Sequence, residues 1–411
     1  MVYLFNNQVA LAPTPQLDAF GRLRVSQPTT LFDSQQRYAL DRSFASNTVS
    51  GGTVTFIPTQ SSANLTVVNT SGSYAARESR YIFKYQPGKS QLALMTFVMA
   101  PASSGNLRQQ VGYYGADNGY FLQLSDQVYI CERSNVTGTV THSNVAQSSW
   151  NGDKLNGSGA STINLDMSKA QIFFIDIEWL GVGSVRTGFV INGQYIVAHT
   201  FHHANVVQNA YITTASLPLR YEIQSLTASG PATSNLTQIC STVISEAGYT
   251  EPLTLFSNLT TFTSLTVGAS WVPLVSIRLD PARLDSIVLM KQVEVVLTTA
   301  DTLQWALWSN VTTSALTGSS FTTPPNNGSV VIDKSSTALN ITNCWQVASG
   351  LATNSTGGAS SSTTLDLVNY FSQLGRDSFS RTPEIFTLAV IRGTGSSAAS
   401  GYALLSWQET L

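Results

Sequence analysis

The sequence predicts an all-β protein: two antiparallel β-sandwich domains, jelly-roll or lectin-like, preceded by an extended N-terminal arm. Three observations lead there. Residues 171–203, QIFFIDIEWLGVGSVRTGFVINGQYIVAHTFHH, hold three runs rich in Ile, Val, Phe and Tyr, separated by compact turn signals. Charged residues are 11% of the chain, against about a quarter in ordinary soluble domains; Ser, Thr, Asn and Gly take their place. The strand rhythm pauses at 248–257 and then restarts, which divides the chain into an arm (1–30), a first sandwich (31–250) and a second sandwich (251–411).

The arm has no period of 2 or 3.6, and Pro13, Pro15 and Pro28 keep its backbone extended or turning. Its apolar residues, among them Tyr3, Phe5, Leu17 and Phe20, need a surface to bury against, either the arm's own domain or a neighbour. Phe20, Arg22, Leu23, Arg24 and Val25 are the candidate arm contacts.

In the first sandwich, VTFIP (54–58), LTVV (65–68), LALMTFVMA (92–100), VYICERS (128–134) and LPLRYEIQSL (217–226) read as strands. VGYYGADNGYFLQL (111–124) reads as a hairpin around Asp117-Asn118-Gly119. The central stretch reads as a three-stranded meander in the middle of the sandwich. Asn192-Gly193 favours a type I′ turn, because both positions need φ > 0. Alternation places Phe173, Ile175, Ile177 and Trp179 on one face, and Ile172, Phe174, Asp176 and Glu178 on the other. WNGDK (150–154) reads as a short tight turn. In the second sandwich, 271–279, 286–299, 302–308 and 329–333 are strands, and 386–393 with 401–408 form a closing antiparallel pair.

Composition also excludes. A net charge of −2 argues against a nucleic-acid binder, and no apolar run is long enough for a membrane span. Cys131, Cys240 and Cys344 are odd in number and far apart, so they read as small buried hydrophobes with neither a disulfide frame nor a zinc site. No phosphate loop, nucleophile elbow, CxxC or dinucleotide fingerprint occurs, and no cofactor is expected. His199 and His203 would share a strand face, but without a carboxylate or thiol at ligand spacing they read as structural or solvent-facing. Asp176 and Glu178, with Glu222 on another strand, are the carboxylates a glycosidase would need; Trp150 and Trp179 are aromatics that could stack on a sugar. Pairing of these carboxylates with Arg186 or Arg220 is the stronger reading, so the chain is expected not to be an enzyme.

Several long stretches carry a resemblance: DAFGRLRVSQPTTLFDSQ (18–35), LRQQVGYYG (107–115), WNGDK, residues 168–201, LPLRYEI (217–223), ICSTVISEAGY (239–249) and GYALLSWQE (401–409). They are similar to a family of virion structural proteins of tailed phages, marine and cyanobacterial ones especially. The resemblance implies a virion component without catalytic residues. The expectation drawn from it is a capsid decoration or cement protein, a homotrimer at capsomer junctions whose arm reaches the major capsid protein or sister subunits. The alternative is a tail, baseplate or fibre component that binds host glycans through Trp150, Asp176, Glu178, Trp179 or Glu222.

Overall fold

The computed structural model describes residues 2–5, 8–11, 27–102, 105–246, 254–265, 268, 270–324, 328–354, 360–361, 363–366, 373–392 and 398–410. Phe20, Arg22, Leu23, Arg24 and Val25 lie outside the described residues. Within the stretch read as an extended arm, β1 (Val2–Phe5) and β2 (Gln8–Leu11) pair as an antiparallel hairpin.

The described chain is all-β and folds as two sandwiches. The strands of the first are β3 (Thr29–Gln35), β4 (Phe44–Val49), β5 (Thr53–Ile57), β6 (Ser62–Val68), β7 (Tyr74–Ser79), β8 (Gln91–Val98), β9 (Leu107–Tyr114), β10 (Gly119–Leu124), β11 (Val128–Ser134), β12 (Thr141–Ala146), β13 (Gln171–Ile177), β14 (Val185–Ile191), β15 (Gln194–Phe201), β16 (Leu219–Ser225) and β17 (Thr233–Ser245). One sheet has the order β12-β11-β10-β9-β16-β7-β4. The other has the order β15-β14-β13-β8-β17-β6-β5, and β3 lies against the second half of β17. Alternate residues of both sheets point inward and meet in one core: Val111, Tyr113, Leu122, Tyr221 and Ile223 from the first sheet, Met95, Phe97, Phe173, Ile175 and Phe189 from the second.

The meander forms as the alternation requires. Ile191 and Gln194 pair across the turn, where Asn192 (φ 53°) and Gly193 (φ 75°) both take the left-handed conformation. Its place differs from the expectation. β15 is an edge strand, and the centre of the sheet is β8 and β17. WNGDK is no tight turn: it runs along that edge, with the N–H groups of Gly152 and Asp153 donating to Ala198 and Val197 at 2.9 Å each. An edge strand needs partners for its free carbonyls, and this segment supplies them. A Cβ on Gly152 would come within 2.4 Å of the Val197 carbonyl oxygen, so the close approach needs glycine.

The second sandwich packs a four-stranded sheet, in the order 254–265, 399–410, 287–297, 363–366, on a six-stranded one, in the order 330–333, 272–279, 385–391, 301–311, 345–354, 360–361. Trp305, Trp407, Val275, Val293 and Leu388 sit in its core. Ile385–Ile391 and Ala399–Thr410, expected to pair, lie in opposite sheets. Both alternate apolar residues toward a shared core, and that pattern serves facing strands as well as neighbouring ones. Of the cysteines, only Cys131 is buried; Cys240 is exposed and Cys344 intermediate. Cys240 falls where the register of β17 against β8 shifts between Gln238 and Ser241, and the irregularity turns it outward.

Truncating Phe173, fully buried between the sheets, is expected to destabilise the first sandwich by about 3–5 kcal/mol. Chemical denaturation of Phe173→Ala, followed by intrinsic fluorescence, is expected to show an earlier first transition and an unmoved transition for the second sandwich.

Candidate functional site

The residues singled out in the sequence occupy separate places. Asp176 lies on the outer face of β13, opposite Arg186 on β14. Arg186 donates to its Oδ2 through Nε at 2.9 Å and through a second, closer nitrogen. Burial pushes the Asp176 carboxyl above its ordinary range; Arg186 pulls it down without cancelling the rise, and the carboxylates of Glu246 and Glu178 add to it. Glu178, just beyond the strand, is exposed. Trp179 is partly buried, edge-on to the Tyr85 ring at 5.9 Å.

Trp150 corrects the reading of an exposed sugar platform. It is 2% exposed, belongs to the core, and its Nε1 donates to the Val145 carbonyl at 3.1 Å. A lone aromatic in a polar segment has no periodic partner to reveal its direction. The pairing of Asp176 with Glu222 at one site is likewise corrected. Tyr221 and Ile223 point into the core, so Glu222 faces outward from the sheet opposite to that of Asp176. Two carboxylates on outer faces with a core between them cannot flank one glycosidic bond. His203 is structural: Nδ1 donates to the Gly183 carbonyl, Nε2 meets Glu132 at 2.7 Å, and the ring stacks on Tyr211 at 3.6 Å.

Glu222 instead belongs to a chain of charges running from the first sandwich into the second. Arg108 Nη2 lies 3.3 Å from Glu222 Oε1, and Arg220 Nη2 lies 2.7 Å from Glu222 Oε2. Arg220 Nη1 lies 3.0 Å from Glu78 Oε2, because the register sets Arg220 directly opposite Glu78 on β7. Arg376, from the second sandwich, reaches Glu78 Oε1 at 3.1 Å and donates through Nε to Asp285 at 2.9 Å. Two further contacts cross with it: the N–H of Arg376 donates to the Arg80 carbonyl at 2.9 Å, and Gln373 Nε2 donates to the Ile82 carbonyl at 3.0 Å. A cleft of about 600 Å³ opens beside this seam, lined by Glu78, Arg220, Arg376, Asp285, Asn118 and Thr213 among others. Each carboxylate of the ladder faces a guanidinium, and the arrangement clamps two bodies together. Burial pushes the Glu222 carboxyl up, but Arg220 and Arg108 outweigh it and hold it below its ordinary value of 4.5.

The sequence reading missed Glu78, Arg376 and the strand Thr254–Leu265. This strand stands at the edge of its sheet, with Leu255 and Leu259 exposed at 63% and 57%, and Tyr402 on the next strand at 44%. Glu78 and Arg376 leave no local signal of their contact, since they belong to different sandwiches and their meeting depends on how the sandwiches pack.

No protein-family model matches the chain, and no curated protein matches it. Among solved structures, the fold is similar to the Crh5 transglycosylase in complex with NAG over 53% of this chain and 84% of that one, with 16% identity and a TM-score of 0.35. It is similar to a glycoside hydrolase family protein from Mycobacterium thermorestibile over 52% and 99%, with 9% identity and a TM-score of 0.36. A carbohydrate esterase from Shiga toxin-encoding bacteriophage phi24B is similar over 54% and 100%, with 11% identity and a TM-score of 0.32.

Glu78 is 1% exposed, so its removal strands two guanidinium groups in the seam. Glu78→Ala is expected to cost about 3–5 kcal/mol and to speed hydrogen exchange at the Arg376 amide; an unchanged exchange rate there contradicts the clamp. The acid limb follows from Glu222. Its folded pKa is below its unfolded value, so its stabilisation is present above pH 4.5 and lost as pH falls through the folded pKa. Asp176, with a raised pKa, works in the opposite sense and loses its contribution as pH rises. Urea midpoints measured from about pH 6 to about pH 3 are expected to fall on acidification in the wild type and to fall less steeply in Glu222→Gln.

Proposed function

We propose that the chain is a virion structural protein of a tailed phage, a homo-oligomeric capsid decoration or cement protein. The observation that carries this reading is the strand Thr254–Leu265, which has no ionisable residue and turns Leu255 and Leu259 to solvent beside Tyr402. Apolar surface without charge on a sheet edge suits a protein that is covered by partners in its working state. The long stretches similar to virion proteins support the same reading, as does a charged content of 11% over the whole chain, since little charge has to be desolvated at contacts. A charge clamp between the two sandwiches fits a structural role, because it ties both bodies together. The arm then attaches to the shell or to sister subunits: Phe20, Leu23 and Val25 supply apolar burial, and Arg22 and Arg24 supply charge.

Reconstitution tests the arm. Undecorated capsids mixed with the protein and separated on a density gradient are expected to carry the full chain and to lose it when residues 1–30 are deleted. Co-migration of the deleted chain at the wild-type level contradicts an attaching arm.

A further inference from the structure

A strand at the border of a sheet leaves one row of backbone donors and acceptors unpaired. In the strand Thr254–Leu265 that row can be assigned. The Thr298 N–H donates to the Ser400 carbonyl at 2.9 Å, so even-numbered residues of the neighbouring strand Ala399–Thr410 point their backbone groups toward Ile287–Leu297. Its odd-numbered residues therefore point toward Thr254–Leu265, where Trp407 is opposite Phe256 and Leu405 is opposite Asn258. It follows that the even residues of Thr254–Leu265 are bonded within the sheet, and that Leu255, Ser257, Leu259 and Thr261 direct N–H and C=O to the outer edge, where no other described strand pairs. Lys334 agrees, since its Nζ reaches the Leu259 carbonyl from outside at 3.1 Å.

The same odd residues carry the outward side chains, and Leu255 and Leu259 are the exposed pair. Natural edges are commonly blunted by Lys, Pro or inward-pointing charges within the strand. Residues 254–265, TLFSNLTTFTSL, contain none of these.

We propose that this edge is completed by the same strand of a second copy, antiparallel about a two-fold axis at Ser257. This proposal rests on the oligomeric reading above and names its contact. In that register Ser257 faces Ser257 of the partner subunit, and Leu255 faces Leu259 of the partner subunit. Each edge-directed residue from Leu255 to Leu259 then falls in a hydrogen-bonded pair, and the Leu259 carbonyl exchanges Lys334 for a backbone N–H. The pairing joins two four-stranded sheets into one continuous sheet. It gathers Leu255 and Leu259 of both copies on one face, with Tyr402 of each behind them. No like charges meet within the paired strands, which is the condition a self-docking surface must satisfy. The symmetry is two-fold, in place of the three-fold expected from the resemblance.

Sedimentation velocity of the full chain tests this. The wild type is expected at twice the 44.1 kDa of one chain. Ser257→Pro removes an edge-directed N–H without touching the ladder to Ala399–Thr410. Leu259→Lys places an ammonium group directly opposite the apolar Leu255 of the partner subunit. Both variants are expected to sediment as single chains while keeping the circular dichroism spectrum of the folded wild type. A wild type of one chain or of three overturns the proposal, as does a dimer that survives Leu259→Lys. These outcomes do not depend on where the protein sits on a particle, so the contact can fail while the virion reading stands.

Discussion

A carboxylate removed from water is tolerated where cations face it and their geometry holds. Glu78 is such a group: Arg220 from its own sheet donates to one oxygen at 3.0 Å, and Arg376 from the other sandwich lies 3.1 Å from the second as an ion pair without a hydrogen bond. The relation between the two bodies depends on it. Arg376 is also tied to Asp285 and, through its backbone, to Arg80, so the guanidinium cannot swing away to follow solvent. Arg220 is held in turn by Glu222, and its guanidinium lies 5.1 Å from the Phe379 ring of the second sandwich. Sliding of one sandwich on the other would strand the buried Glu78 charge, so the ladder opposes hinge motion. For the assembly role proposed above, this seam holds the edge strand Thr254–Leu265 in place relative to the first sandwich.

The chain's legibility follows the range of the interactions. The Asn192-Gly193 turn and the meander around it were readable, because a hairpin is specified by residues a few positions apart. The Asp176–Arg186 pair was readable for the same reason. The position of the meander at a sheet edge was not, since strand order depends on which strands meet across the whole domain. Thr254–Leu265, whose first residues fall in the 248–257 junction, is not legible as a strand for a specific cause. Its apolar residues fall on both parities, with Leu255 and Leu259 outward and Phe256 and Phe262 inward. The period-2 signal therefore cancels, and exposed leucines hide a strand that buried phenylalanines would reveal. The charge seam is the extreme case: Glu78 and Arg376 are joined by packing alone.

Neutral polar composition and β architecture are linked here through the surfaces they leave. Outward strand positions filled by Ser, Thr and Asn keep a sheet soluble without charge, and they make its faces easy to cover. The first sandwich answers its edge problem internally, by laying residues 150–154 along β15. In the second, among the described residues, Lys334 reaches the outer row of Thr254–Leu265 at the Leu259 carbonyl. The pairing of two copies proposed above would use that edge of the second sandwich.

The measurement that bears most directly on the central claim is immunogold electron microscopy of intact virions with an antibody raised against residues 257–411. Label distributed over the head is the result predicted for a capsid decoration or cement protein. Label confined to the tail or its tip contradicts that assignment.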